Sequence, residues 1–208
     1  MIELAAFLGN PGSEYSRTRH NAGRLLAEKL PFFHLLSWQK KYKGLYAGLD
    51  GNRLAAFLQT GVSAGPQLPA KIHFLMPETY MNLSGESIYA AASFFKIVPE
   101  HILLVHDELE LPLGTAALKF SGGLGGHNGL RSMNACFGTP GFWRFRIGIG
   151  RPDHRDIYNW VLSGFTAVEE PILDQVLCAG AAALALALSQ GPESLLPEWN
   201  KKRIRVVR

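Results

Sequence analysis

The stretch "MIELAAFLGNPGSEYSRTRHNAGRLLAEKL", residues 1–30, sets the fold class. Residues 2–8 are a short apolar run ended by Asn10-Pro11-Gly12, which predicts a strand and then a turn. Over residues 21–30, Ala22, Leu25, Leu26 and Leu30 fall on one face of a helix. A strand that feeds a helix is the opening of an α/β unit. His20 stands at the joint, where packing calls for no imidazole.

The alternation continues outward from there. A strand is expected at 72–76 (IHFLM), a helix over about 84–96 and a buried-type strand at Ile102–Val105. Another strand is expected over 142–150 and a long helix over roughly 167–190. Inside "LYAGLDGNRLAAFL", the pair Asp50-Gly51 predicts a hairpin turn. Strands alternating with helices predict a single-domain three-layer α/β/α sandwich around a twisted, mostly parallel (mixed) sheet. The domain is expected over 1–195, followed by a basic C-terminal tail over 196–208 whose end, "NKKRIRVVR", reads as solvated.

Composition narrows the class. With 208 residues and 47% apolar content, the chain can bury one full core. Lys+Arg 21 against Asp+Glu 17 gives a net charge of +4, which permits a polyanionic partner without requiring one. Two cysteines, Cys136 and Cys178, suit a reduced cytoplasmic compartment and supply no disulfide ladder. The longest apolar run, 178–188, is too short to span a bilayer, so no membrane association is expected.

In open α/β sheets, ligands bind beyond the carboxyl ends of the strands. Asn10 follows the first strand, Asn82 lies shortly after the 72–76 strand, and Asp107 ends the strand that begins at Ile102. His20, at the mouth of the first helix, is within reach of the same edge. A helix N-terminus beside it disfavours the imidazolium and keeps the ring able to accept a proton. Asp107 on the other ring nitrogen would fix the tautomer, and a His-Asp pair without a serine would activate water. Glu108 and Glu110, beside Asp107, read as solvated. Asn10, Asn82 and Asn128 each offer an amide that donates and accepts without titrating.

Other chemistry finds less support. No G-x-S-x-G elbow occurs, and "SFFK" (93–96) lacks the companion motifs of an S-x-x-K nucleophile. No H-E-x-x-H is present, so no metal is expected. "SGGLGGHNG" (121–129) fails as a nucleotide loop because Asn128 stands where the third glycine belongs; it reads as a flexible loop that lets backbone approach a ligand. Arg144 and Arg146 project about 7 Å apart on one strand face. With Lys119 they fit a phosphate clamp, although a solvated edge is equally open for Arg144.

Taken together, "GNPGSEYSRTRHNAG" (9–23), "PETYMNLSG" (77–85), "HDELELPLG" (106–114), "GGLGGHNGLRS" (122–132) and "FRIGIGRP" (145–152) resemble the bacterial-type peptidyl-tRNA hydrolase family over nearly the whole chain. The resemblance implies cleavage of the ester joining a peptide to the tRNA 3′ end. It implies a monomer that needs no metal, no cofactor and no obligate protein partner, with peptidyl-tRNA as its nucleic-acid ligand. His20 then matches the catalytic base and Asp107 its orienting carboxylate. Asn10 matches the residue that tells a blocked aminoacyl group from a free amine. Tyr15, Tyr80, Asn82 and Asn128 match positions that hold the tRNA end and peptide, Asn82 also steering the attack. Lys119 and Arg146 match the pair that grips the tRNA 5′-phosphate. A non-catalytic RNA-binding protein of the same fold, like the organellar splicing factors, is the alternative.

Overall fold

The computed structural model describes residues 1–58, 68–152 and 156–203. The first half of the chain runs β1 (Leu4–Phe7), α1 (Ala22–Glu28), β2 (Gln39–Lys41), β3 (Gly44–Asp50), α2 (Gly51–Leu58), β4 (Lys71–Pro77) and α3 (Ser84–Phe95). The second half adds β5 (Ile102–Glu108), β6 (Thr115–Phe120), α4 (Asn128–Phe137), β7 (Trp143–Gly148), α5 (Ile157–Leu162), α6 (Glu170–Gln190), α7 (Leu196–Trp199) and β8 (Lys202–Arg203). One sheet collects every strand in the order β2-β3-β4-β1-β5-β7-β6-β8. Strands β4, β1, β5 and β7 are mutually parallel, and the flanking pairs are antiparallel.

Both faces of this sheet are covered, which is why its central strands read as unbroken apolar runs. Leu4, Ala6, Leu8, Ile102 and Leu104 point into a core closed by Ile88 of α3 and Leu130 and Met133 of α4. Ala5, Phe7, Leu103 and Val105 point the other way, onto Leu25 and Leu26 of α1 and Val176 and Leu184 of α6. The expected three-layer α/β/α sandwich is the observed one. Helix α6, 21 residues, is long and apolar enough to cross a bilayer, but it is a core helix whose Leu173, Leu177 and Leu188 are buried.

Two local expectations are corrected. Asp50-Gly51 is not a hairpin turn: Asp50 Oδ1 accepts from the backbone N–H of Asn52 and Arg53 at 2.9 and 3.1 Å and so caps α2. The hairpin lies earlier, between β2 and β3, where Tyr42 and Lys43 both take left-handed backbone (φ 54° and 56°). The second concerns the chain end. Trp199 of α7 is buried against Phe145, and β8 pairs with β6 through Thr115↔Arg203. Residues 196–203 are therefore built into the fold; 204–208 lie outside the described residues.

Helix α1 sits hard against the carboxyl ends of two strands. A Cβ on Gly23 would fall 2.7 Å from the Leu8 carbonyl oxygen and collide with that of Val105. Only glycine lets the helix, and His20 just before it, come this close to β1 and β5.

Candidate active site

The residues at that edge lock one another before any ligand arrives. Asn10 and Asn21 pair reciprocally: the Asn10 N–H donates to Asn21 Oδ1 (2.9 Å) and Asn21 Nδ2 donates to the Asn10 carbonyl (3.0 Å). Asn10 Oδ1 then accepts from the Met81 N–H at 2.8 Å. Its Nδ2 has no hydrogen-bond partner among the described residues, and Asn10 lines the cleft. Asn21 carried no role in the sequence reading.

His20 and Asp107 meet. His20 Nδ1 lies 2.9 Å from Asp107 Oδ1, across 87 positions of sequence. Asp107 sits inside β5, because the strand runs past its apolar segment to Glu108. Burial alone would push its carboxyl up; the His20 and His127 imidazoles outweigh that and hold it well below the usual carboxylate range. The ionised carboxylate only accepts, so His20 Nδ1 carries a proton. Burial works to lower the His20 pKa, but Asp107 prevails by charge and hydrogen bond, and the net shift is upward. The helix-terminus effect expected to keep the ring neutral is therefore not the dominant one.

A second imidazole completes the cluster. His127 Nε2 lies 3.0 Å from the same Asp107 Oδ1, and its ring centroid is 5.0 Å from that of His20. His127 caps α4: its Nδ1 accepts from the Gly129 and Leu130 N–H groups at 3.1 and 3.4 Å. With Nδ1 accepting, the proton must sit on Nε2, which donates to Asp107. The signal in the sequence is a histidine directly before the helix start at Asn128, inside the glycine-rich loop. The candidate ligand atoms of His20, Asp107 and His127 lie within 4.8 Å of one another, a spacing that could hold a metal ion. In this structure the two ring nitrogens are directed at the Asp107 carboxylate as hydrogen-bond partners.

The other expected residues divide. Asn10, Tyr15, His20, Tyr80, Asn82 and Asn128 line one cleft of about 540 Å³. A smaller cavity of about 220 Å³ continues past His20 and Asp107 to Leu109, Gly126 and His127. Tyr158 and Val161 of α5 wall both. Neither was singled out in sequence, because α5 follows β7 by a short unpatterned segment.

Lys119 and Arg146 line neither cavity. They share one sheet face, Arg146 opposite Ala117 and Lys119 two residues on. Arg146 Nε donates to Glu108 Oε2 at 2.9 Å, so Glu108 is paired rather than solvated, and Glu110 pairs with Arg151. Arg144 is corrected more strongly: it is buried, and its guanidinium donates to the carbonyls of Gly123 (2.7 Å) and Gly122 (3.0 Å). It pins the glycine-rich loop and is no phosphate clamp.

Arg19, beside His20, is also buried. It donates to Glu169 (2.7 Å) and Ser163 (3.2 Å), and its guanidinium stacks 3.8 Å over Trp160. It ties the His20 turn to the α5 wall.

Comparisons with known proteins place the chain among relatives. The sequence pattern of the family described as "Peptidyl-tRNA hydrolase" matches residues 4–206. A peptidyl-tRNA hydrolase of Desulfitobacterium hafniense (strain Y51) is 39% identical over 201 residues, covering 96% of this chain and 100% of the relative. One of Treponema pallidum (strain Nichols) is 41% identical, with 98% and 96% covered. The crystal structure of the Acinetobacter baumannii peptidyl-tRNA hydrolase superposes with TM-score 0.81 at 32% identity, covering 96% of this chain and 94% of that one.

Proposed function

The chain belongs to the peptidyl-tRNA hydrolase family, and from that premise we propose how its residues divide the reaction. The protein is a cytoplasmic carboxylic-ester hydrolase with peptidyl-tRNA hydrolase activity. The observation that carries the assignment of roles is the 2.9 Å contact of His20 Nδ1 with Asp107, which leaves the opposite ring nitrogen, Nε2, as the available base beside the cleft.

Neutral His20 takes a proton from water at Nε2 as the water oxygen attacks the ester carbonyl carbon. Asp107 stabilises the imidazolium so formed, and His127 shares the carboxylate's charge. The proton then passes to the departing ribose oxygen, and the released peptide acid gives up the second proton of the water to solvent, leaving a peptide carboxylate and tRNA. A positioned base of this kind contributes roughly 10²–10⁴-fold. Asn82, exposed at the mouth, donates its amide toward the developing oxyanion; one such donor is worth about 2.7–4 kcal/mol.

Asn10 reads the blocked amine. Its Oδ1 is occupied by the Met81 N–H, so only Nδ2–H faces the ligand. A donor can bond the carbonyl of a peptide or N-acyl group and offers nothing to an ammonium. Asn128, Tyr15 and Tyr80 hold the peptide and the tRNA end, the tyrosines by stacking. Lys119 and Arg146 grip the 5′-phosphate, Arg146 with the guanidinium nitrogens that Glu108 does not take.

The test is cleavage of N-acetyl-aminoacyl-tRNA against the free aminoacyl-tRNA. The expected result is turnover of the blocked ester alone, with Asn10→Ala narrowing the preference. Equal turnover of both by the unaltered protein would reject the role of Asn10.

A further inference from the structure

The molecule carries a second basic feature on the catalytic edge of the sheet, remote from Lys119 and Arg146. β2 ends at Lys41, opposite Gly44, which is itself opposite Pro77 at the carboxyl end of β4. β4 runs parallel to β1, so the β2–β3 turn emerges on the same edge as Asn10 and His20. Lys40, Lys41 and Lys43 line a hollow of about 400 Å³ there, with Gly44, Glu78 and Thr79. Thr79 is followed directly by Tyr80, Met81 and Asn82 of the catalytic cleft, so consecutive residues of one segment line the hollow and then the cleft.

The turn that presents these lysines is strained. Tyr42 and Lys43 both have left-handed backbone, where glycine or asparagine is the ordinary choice for a two-residue hairpin. The surroundings force it. Tyr42 packs edge-on to Tyr46 and Phe95 at 5.2 and 5.5 Å, its carbonyl accepts from Ser87 Oγ at 2.6 Å, and the Lys43 carbonyl accepts from the Glu78 N–H at 2.9 Å. A conformation held against such strain marks a candidate for function.

Charge decides what the hollow suits. Glu86 neutralises Lys43 at 2.7 Å, and the charge of Glu78 bears on the Arg24 guanidinium. Lys40 and Lys41 are exposed and have no carboxylate within ion-pair distance among the described residues. Thr79, which lines the hollow, has a buried Oγ1 with no hydrogen-bond partner among the described residues. We propose that the Lys40–Lys41–Lys43 hollow binds a backbone phosphate of the substrate's RNA. This rests on the reading of the cleft as the tRNA-ester site. β2 and β6 lie on opposite sides of β1, each about 14 Å away at ordinary strand spacing, so the RNA is held on both flanks of the scissile ester.

The test is Lys40→Gln/Lys41→Gln, two exposed changes that leave the hairpin packing alone. Binding of a non-hydrolysable N-blocked aminoacyl-tRNA is measured across a salt series, alongside cleavage of the hydrolysable form and of a blocked aminoacyl-adenosine ester. The slope of log affinity against log salt is expected to fall by about 1 for each phosphate that the variant no longer neutralises. The ratio of kcat/KM for tRNA over the small ester is expected to drop several-fold, and further in Lys40→Glu/Lys41→Glu. An unchanged slope, or equal losses on both substrates, would overturn the site. Failure of the unaltered protein to cleave the tRNA ester would instead overturn the reading on which it rests.

Discussion

His20 and His127 direct ring nitrogens at the same oxygen of Asp107, at 2.9 and 3.0 Å, with their centroids 5.0 Å apart. The two rings are not equivalent. His127 is committed at both nitrogens, to Asp107 and to the start of α4, whereas His20 keeps one nitrogen for chemistry. One ring is the base, and the other holds the carboxylate that serves it.

The pH profile follows from the sign of the His20 shift. Its pKa is raised above 6.5 because Asp107 outweighs burial, and the base form grows as pH rises, so the acid limb of kcat/KM lies above 6.5. Asp107→Asn removes the carboxylate and leaves the burial. The limb should move to lower pH while the plateau falls by up to about 10²–10⁴-fold. A pH–rate series on both proteins checks this; a limb that stays in place contradicts it.

His127→Ala should move the limb the other way. With one donor gone, the Asp107 charge acts on His20 alone and stabilises its imidazolium more. Loss of the α4 cap should also reduce stability by about 0.5–2 kcal/mol, read by denaturant unfolding. A limb displaced to lower pH would show that His127 does not share the carboxylate.

Gly23→Ala should separate the pair without touching either partner. The new Cβ meets the backbone oxygens of Leu8 and Val105, which cannot rotate away, so α1 must shift. The expected outcome is a large loss of kcat/KM together with a lowered Tm. Wild-type values of both would contradict the close-packed joint.

Arg19→Met should unfold more readily than the double change Arg19→Met/Glu169→Leu. The single change takes one charged hydrogen bond, about 1.5–3 kcal/mol, from a half-buried Glu169 carboxylate that keeps only the Thr166 N–H, whereas the double change removes both charges. Thermal unfolding of the set decides it, and equal Tm values for the single and double variants would contradict the pairing.

The alternation of strand and helix was legible because both faces of the sheet are buried, and so were Asn10, His20 and Asp107, which stand where apolar runs stop. What escaped was decided by partners distant in sequence. Asp50-Gly51 serves equally as a turn or a helix cap, and only the path of α2 selects the cap. Arg144 looks free until the glycine loop folds back over it. His127 gains its meaning from Asp107, and Glu108 from Arg146. Lys202 and Arg203 read as solvated until β6 offers an open edge.

Turnover of N-acetyl-aminoacyl-tRNA by His20→Ala, under saturating substrate, tests the general-base assignment most directly. With the cleft residues untouched, kcat should fall by roughly 10²–10⁴-fold while KM stays within a few-fold. A kcat near that of the unaltered enzyme would mean that water is activated elsewhere and that the 2.9 Å contact between His20 and Asp107 serves structure alone.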